Sequence, residues 1–387
     1  MVMVEQGQLS ISDSFVGHID KCLDCRACET SCPSGVEYGK LVEHARARIE
    51  QEYQRPLFTR VTRNFVFQRL LPFPSRIRFA ANLLKFYHRS GLQSLARGSG
   101  ILKLLGLADR ERLLPRIDRR YFYSELGKTF PAQGQQRARV AFFAGCIANV
   151  TFTKLNEATI RVLTANGCEV VIPDGQLCCG ALASHAGVRE AARQLARNNI
   201  AAFAAGSCDA IVTNAAGCGS TLKEYHHLFS ASEPEHAAAL AFVDKMRDVT
   251  EFLASLGLSA PVNPIPLRVT YQDSCHLLHG QKVREAPRQL LKSIPGLEFV
   301  ELPYSDICCG SAGVYNVTQT EASLELLAEK MKHAQGTGAR MIVTANPGCL
   351  LQMRAGAEIH HTGQEVVHVM ELLDRAQNPS AGPSINR

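Results

Sequence analysis

Short apolar runs, each closed by Gly, Pro or Asn, punctuate the second two thirds of the chain. Arg139-Val-Ala-Phe-Phe-Ala144, Glu169-Val-Val-Ile-Pro173 and Ala210-Ile-Val-Thr-Asn214 form one group; Arg268-Val-Thr-Tyr-Gln272, Glu298-Phe-Val-Glu-Leu302 and Met341-Ile-Val-Thr-Ala345 form another. Runs of this length and content read as buried strands, and the stretches between them carry helical spacing, as from Glu190 to Phe203. Strand and helix in alternation predict a parallel sheet in each group. The first third is patterned differently. Residues 37 to 51 read as a helix, and Phe65 to Leu71, Ile77 to Tyr87 and Ile101 to Leu107 as amphipathic helices broken by Pro72, Pro74 and Gly91. Residues 1 to 15 are polar and expected to be loosely held, Pro131 to Gln136 reads as a linker, and the tail from Asn378 to Ser384 as disordered. The expected fold class is α/β. A helical N-terminal segment (1–50) and a helical linker (51–137) precede two duplicated α/β units with parallel sheets (138–262 and 263–387).

Cysteines change this picture most. Cys178-Cys179-Gly180 recurs as Cys308-Cys309-Gly310, each pair with one cysteine well before it and one well after. Cys146, Cys178, Cys179 and Cys218 are thus repeated as Cys275, Cys308, Cys309 and Cys349 at an offset of about 130 residues, the mark of a duplicated unit. Every one of the eight falls just past a predicted strand, on the edge where open α/β sheets place their ligands. Four thiolates would converge there in each unit. A third group, Cys22-Leu-Asp-Cys25-Arg-Ala-Cys28-Glu-Thr-Ser-Cys32-Pro33, has the C-x2-C-x2-C-x3-C-P spacing of bacterial ferredoxins, which predicts a [4Fe–4S] cluster. Structural zinc favours two separated pairs instead. Cys168 and Cys208 stand outside all three groups and read as small buried hydrophobes. His185, His276 and His279 lie near the thiols, where packing or hydrogen bonding is the expected role rather than ligation.

Composition bounds the setting. Fourteen cysteines without an export signal suit a reducing, cytoplasmic compartment, where clustered cysteines point to metal rather than disulfides. No run of about 18 uncharged apolar residues occurs, so no spanning helix is expected. The net charge of +6 conceals an asymmetry: residues 55 to 120 hold fifteen Lys or Arg against Asp109, Glu111 and Asp118. That stretch would lie on an anionic membrane surface, dock an acidic partner, or be the solvated face of packed helices. No recognition motif accompanies the charge, so nucleic acid is not an expected partner.

Together these motifs resemble the iron–sulfur subunits of the glycolate oxidase family, whose relatives serve lactate utilisation, anaerobic glycerol-3-phosphate oxidation and heterodisulfide reduction. Cys178-Cys179-Gly180-Ala181, Arg197-Asn198-Asn199-Ile200, Gly217-Cys218-Gly219 with Lys223-Glu224-Tyr225, Cys308-Cys309-Gly310-Ser311-Ala312-Gly313 and Thr344-Ala345-Asn346-Pro347-Gly348-Cys349 carry the resemblance, over residues 15 to 375. It implies an electron-transfer subunit serving an FAD flavoprotein that oxidises a 2-hydroxy acid, with a quinone-type acceptor and a cytoplasmic or peripheral inner-membrane location. It also implies further iron–sulfur clusters in the two CCG units. The wider family ends each unit in C-x-x-C, with five cysteines; here Ala215 and Asn346 stand at the first position of those pairs, leaving four. The resemblance further implies two ferredoxin runs. Cys22, Cys25 and Cys28 would hold one cluster, which Cys32 completes if it folds back; otherwise Cys32 reaches for another, whose run is expected upstream of Met1 or on a partner.

The chain shows no G-x-G-x-x-G after a strand and no P-loop, so no catalytic residue is assigned and substrate oxidation is expected on a partner. The alternatives are a heterodisulfide or thiol reductase with a catalytic CCG cluster, a subunit serving lactate or glycerol-3-phosphate, and a structural zinc protein.

Overall fold

The computed structural model describes residues 1–204 and 206–378. The tail expected to be disordered lies, beyond Asn378, outside the described residues.

The first sheet contains β1 (Thr129–Phe130), β2 (Ala138–Phe143), β3 (Cys168–Val171), β4 (Ala210–Thr213) and β5 (Met246–Asp248) in the order β1-β3-β2-β4-β5. The second contains β6 (Leu267–Gln272), β7 (Leu297–Glu301), β8 (Met341–Thr344) and β9 (Glu365–His368) in the order β7-β6-β8-β9. All pairings are parallel except β1 on β3. In each unit the chain goes from its first long strand to a neighbour on one side and then crosses to the other. The order therefore reverses between β2 and β4, and between β6 and β8. Ligands of open α/β sheets bind at such reversals.

A strand buried on both faces reads as a continuous apolar run. Along β2, Val140 and Phe142 point into a core shared by the two sheets, which includes Val269, Tyr271, Ile342 and Val343. Ala141 and Phe143 point the other way, into a second core that takes in Phe67, Leu71, Ile77 and Ala81 of the basic segment. The basic helices are thus packed along one side onto the first sheet.

The shared core is closed reciprocally. The helix Val369–Gln377, which ends the second unit, packs on Thr153–Ala165, the long helix after β2; Val249–Leu256, which ends the first, packs on Glu285–Lys292. Arg161 and Asp374 tie the first pair at 2.6 Å. Both closing helices begin with a capping box, Asp248 with Glu251 and His368 with Glu371. Such a box satisfies two otherwise orphaned donors and fixes where the helix starts.

The first residues are more ordered than their polarity suggests. Val2–Glu5 and Asp13–Asp20 are helical, and Val4, Val16 and Ile19 are buried. Val16 and Ile19 form a small core with Val42, Ala45 and Ile49 of the helix Tyr38–Glu52.

Candidate iron–sulfur sites

In both units the second cysteine of the pair is followed by a glycine with left-handed backbone, Gly180 at φ +82° and Gly310 at φ +87°. Only glycine adopts that conformation without strain. Space enforces it as well: a Cβ on Gly310 would stand 2.5 Å from the Ser323 carbonyl oxygen. Past the first turn, the Ala181 N–H donates to the second sulfur, Cys179 Sγ, at 3.5 Å, while the glycine amides help to lower the first thiol of each pair, Cys178 or Cys308.

The remaining sulfurs join in series. Cys146 neighbours Cys178, Cys178 neighbours Cys179 and Cys179 neighbours Cys218, all as free thiols; Cys275, Cys308, Cys309 and Cys349 repeat this. The neighbouring sulfur pushes the Cys146, Cys179, Cys275 and Cys309 thiols up, with burial adding to it. The same neighbours hold Cys178 and Cys308 well below the ordinary thiol value. Six of the eight are buried, and Cys218 and Cys275 half-buried. Four convergent soft donors in a desolvated pocket fit an iron–sulfur cluster, which thiolates hold.

The loops are braced by residues whose part in this the sequence motifs did not reveal. At the first site Asn199 accepts from the Leu177 N–H (2.8 Å) and donates to the Cys178 carbonyl (2.9 Å) and the Tyr225 hydroxyl (3.0 Å). Tyr225 in turn donates to the Cys179 carbonyl at 2.8 Å. At the second site Ser323 donates to the Gly310 carbonyl (2.7 Å), and the buried Lys330 donates to that of Tyr304. Asn346, standing where the resemblance has a fifth cysteine, bridges the two sites. It accepts from Gly217 N–H beside Cys218 (3.2 Å) and donates to Cys349 Sγ (3.5 Å).

The N-terminal run curls through two non-glycine residues with left-handed backbone, Asp24 (φ 54°) and Arg26 (φ 61°). This curl brings Cys22, Cys25 and Cys28 into mutual electrostatic range, and burial pushes Cys25 up to about 11. The Cys308 charge acts on Cys25, and that of Cys25 on Cys275. Cys32 behaves otherwise: the backbone amides of the turn that follows it, Val36, Ser34 and Gly35, lower its thiol, and the Gly35 N–H donates to the Cys32 carbonyl at 3.2 Å.

The run is locked to both units by polar contacts. His276 Nε2–H donates to the Asp24 carbonyl at 2.8 Å. His279 Nε2–H donates to the Asp306 carbonyl (3.1 Å), which leaves its Nδ1 to accept from Thr30 (2.8 Å). Arg26 forks onto Glu224 at 2.5 and 2.8 Å. His185 Nδ1 lies 3.0 Å from Asp24 and 2.8 Å from Glu43. Burial alone would lower His185, but these carboxylates hold it up at about 10. Asp24 is held well below the ordinary range against its own burial, by His185, His276 and Arg46. With Arg26 and Arg46 at its edge, this cluster is an ion-pair network rather than a cation site. The three histidines therefore hydrogen-bond, as expected. Cys168 is fully buried in the shared core, and Cys208 half-buried.

Fold and thiol sites together define a cysteine-rich iron–sulfur protein of the duplicated α/β class, and the cysteine-rich domain family matches residues 140–223 and 269–354. The glycolate oxidase iron–sulfur subunit linker region matches residues 58–114. A probable glycolate oxidase iron–sulfur subunit of Bacillus subtilis is 43% identical over 379 residues, 96% of this chain and 85% of that protein. The glycolate oxidase iron–sulfur subunit of Escherichia coli is 30% identical over 370 residues, 93% of this chain and 82% of its own length. Lactate utilization protein A of Oceanobacillus iheyensis is 33% identical over 239 residues, 61% of this chain and 96% of that protein. The chain belongs to the family of glycolate oxidase iron–sulfur subunits, oxidoreductase subunits that transfer electrons.

Proposed function

We propose that this chain relays electrons within a glycolate-oxidising complex, from a partner FAD flavoprotein to a quinone-type acceptor at the inner face of the membrane. When bound, iron–sulfur clusters take up and release single electrons at potentials that ligands, hydrogen bonds and exposure set. Cys22, Cys25 and Cys28 are assigned to one cluster. Cys146, Cys178, Cys179 and Cys218 are assigned to a second, and Cys275, Cys308, Cys309 and Cys349 to a third. Cys32, facing its own loop, is assigned to a cluster whose other ligands lie outside this set. The division at residues 50, 137 and 262 follows the same reading.

The observation that carries this reading is the placing of three thiol groups next to one another. Cys25 lies within range of Cys308 and Cys275, and Asn346 joins the second site to the first. In the two duplicated units the buried surroundings keep water from most of the sulfurs, and the braced loops hold them in place. Relatives named as glycolate oxidase subunits support glycolate as the donor.

The test is anaerobic. The brown, iron-loaded chain should stay oxidised with glycolate alone and bleach when the flavoprotein is added. Turnover of glycolate by the single chain with a dye acceptor would overturn the assignment of substrate oxidation to a partner. A colourless chain with one zinc per site would overturn the relay itself.

A further inference from the structure

The helices between Leu57 and Leu114 have an inner side that packs and an outer side that none of the described residues covers. The helix Pro74–Arg89 shows it most clearly. Ile77 and Ala81 are buried against the first unit, while Phe79, Leu83 and Phe86, spaced four and three residues apart, stand outward at 66%, 55% and 63% exposure. A helix lying between core and water carries one apolar stripe; this one carries two. Fifteen of the twenty-four exposed large apolar side chains among the described residues fall in this stretch, Phe58 at 83% and Leu104 at 86% among them. Such concentration marks an interaction surface rather than ordinary scatter. It also sets aside the reading of the segment as a merely solvated face.

Cations are interleaved with these side chains. Arg60, Arg69, Arg78, Arg89, Lys103 and Arg112 make no ion pair with any carboxylate among the described residues. All six are exposed. An acidic protein would satisfy the cations but leave the phenylalanines and leucines in water. An apolar protein face would bury the cations unpaired, which is costly. The headgroup layer of an anionic bilayer accepts both, apolar side chains at the acyl boundary and guanidinium groups on phosphate. No helix among the described residues is long and apolar enough to cross a membrane, so the attachment would be in the plane of the surface.

We infer that the outer face of Leu57–Leu114 seats the protein on an anionic lipid surface. The inference deepens the proposed delivery of electrons to a quinone-type acceptor by naming the surface that would bring the relay to it. Its test needs no electron transfer. Iron-loaded full chain is sedimented with phosphatidylcholine vesicles, with or without phosphatidylglycerol. Binding should require phosphatidylglycerol and fall in about 1 M salt, where screening lengths shrink to about 3 Å. Reversing Arg60, Arg78 and Lys103 to Glu should weaken it at least about tenfold. Phe58→Ser with Phe79→Ser and Leu104→Ser should do the same. Unchanged visible absorption would show that the variants still fold. Equal binding by wild type and variants, or no binding to either vesicle, overturns the inference. So does a wild type that ignores vesicles yet loses its flavoprotein through these substitutions, which would make the face a protein interface. Each result is independent of whether glycolate and the flavoprotein reduce the chain in solution.

Discussion

Lys330 distinguishes the two otherwise repeated sites. It is 2% exposed, and burial lowers its pKa while the charges of Cys309 and Cys308 oppose that. Ile200 stands at the position one repeat earlier, so the first site has no such cation at that point. A buried positive charge near a cluster favours the reduced, more negative state, since net charge sets cluster potential. Lys330→Met should therefore make the midpoint potential of the second-unit centre more negative, and Lys330→Arg should largely restore it, both read by redox titration. An unchanged potential would mean that Lys330 only supports the Tyr304 loop. Gly310→Ala tests the turn itself. Left-handed strain and the clash with Ser323 should cost about 1–3 kcal/mol in chemical denaturation. At this scale the cysteines were legible because their spacing repeats. Asn199 and Tyr225 stood in the motifs that carry the resemblance, but their bracing roles, and Lys330 altogether, were not legible, because each acts through a carbonyl or sulfur supplied by another part of the chain.

Among the elements, the N-terminal run depends on its network with the two units. His185 carries a charge held by Asp24 and Glu43, and its removal leaves the buried Asp24 and the half-buried Glu43 less compensated. His185→Gln should destabilise the chain by on the order of 3 kcal/mol at pH 7. The pH dependence has a definite sign. The folded pKa of about 10 lies above the unfolded value of about 6.5, so this contribution is complete below pH 6.5 and lost as pH rises through 10. Wild type should lose stability over that window more steeply than His185→Gln; parallel curves would show that the charge is not used. The six strands flanking the cysteines were readable as apolar runs. β1, β5 and β9 were not: two to four residues at a sheet edge carry too little pattern. The closing helices escaped notice for a different reason. Their capping boxes, Asp248 with Glu251 and His368 with Glu371, begin directly at strand ends, and His is a weak capping signal.

The whole molecule is a duplicated scaffold made asymmetric by what is attached to it. The N-terminal run is hydrogen-bonded to both units, through His276 and His279 to the second and through Arg26 and His185 to the first, and the basic helices pack on the first unit. Its Cys25 is in electrostatic range of Cys308 and Cys275, which puts the thiol groups in the order N-terminal run, second unit, first unit. The duplication was visible in sequence; the order was not, since it rests on the approach of Cys25 to thiols 250 or more positions away. The most direct test is EPR on the anaerobically reduced, iron-loaded chain. The signal of the N-terminal cluster, identified by its loss in Cys22→Ser, should be broadened by magnetic coupling to a neighbouring centre. Cys308→Ser should remove that broadening and Cys178→Ser should leave it in place. A signal that Cys178→Ser sharpens while Cys308→Ser leaves it unchanged would contradict the order, and a chain with no cluster signal would contradict the relay.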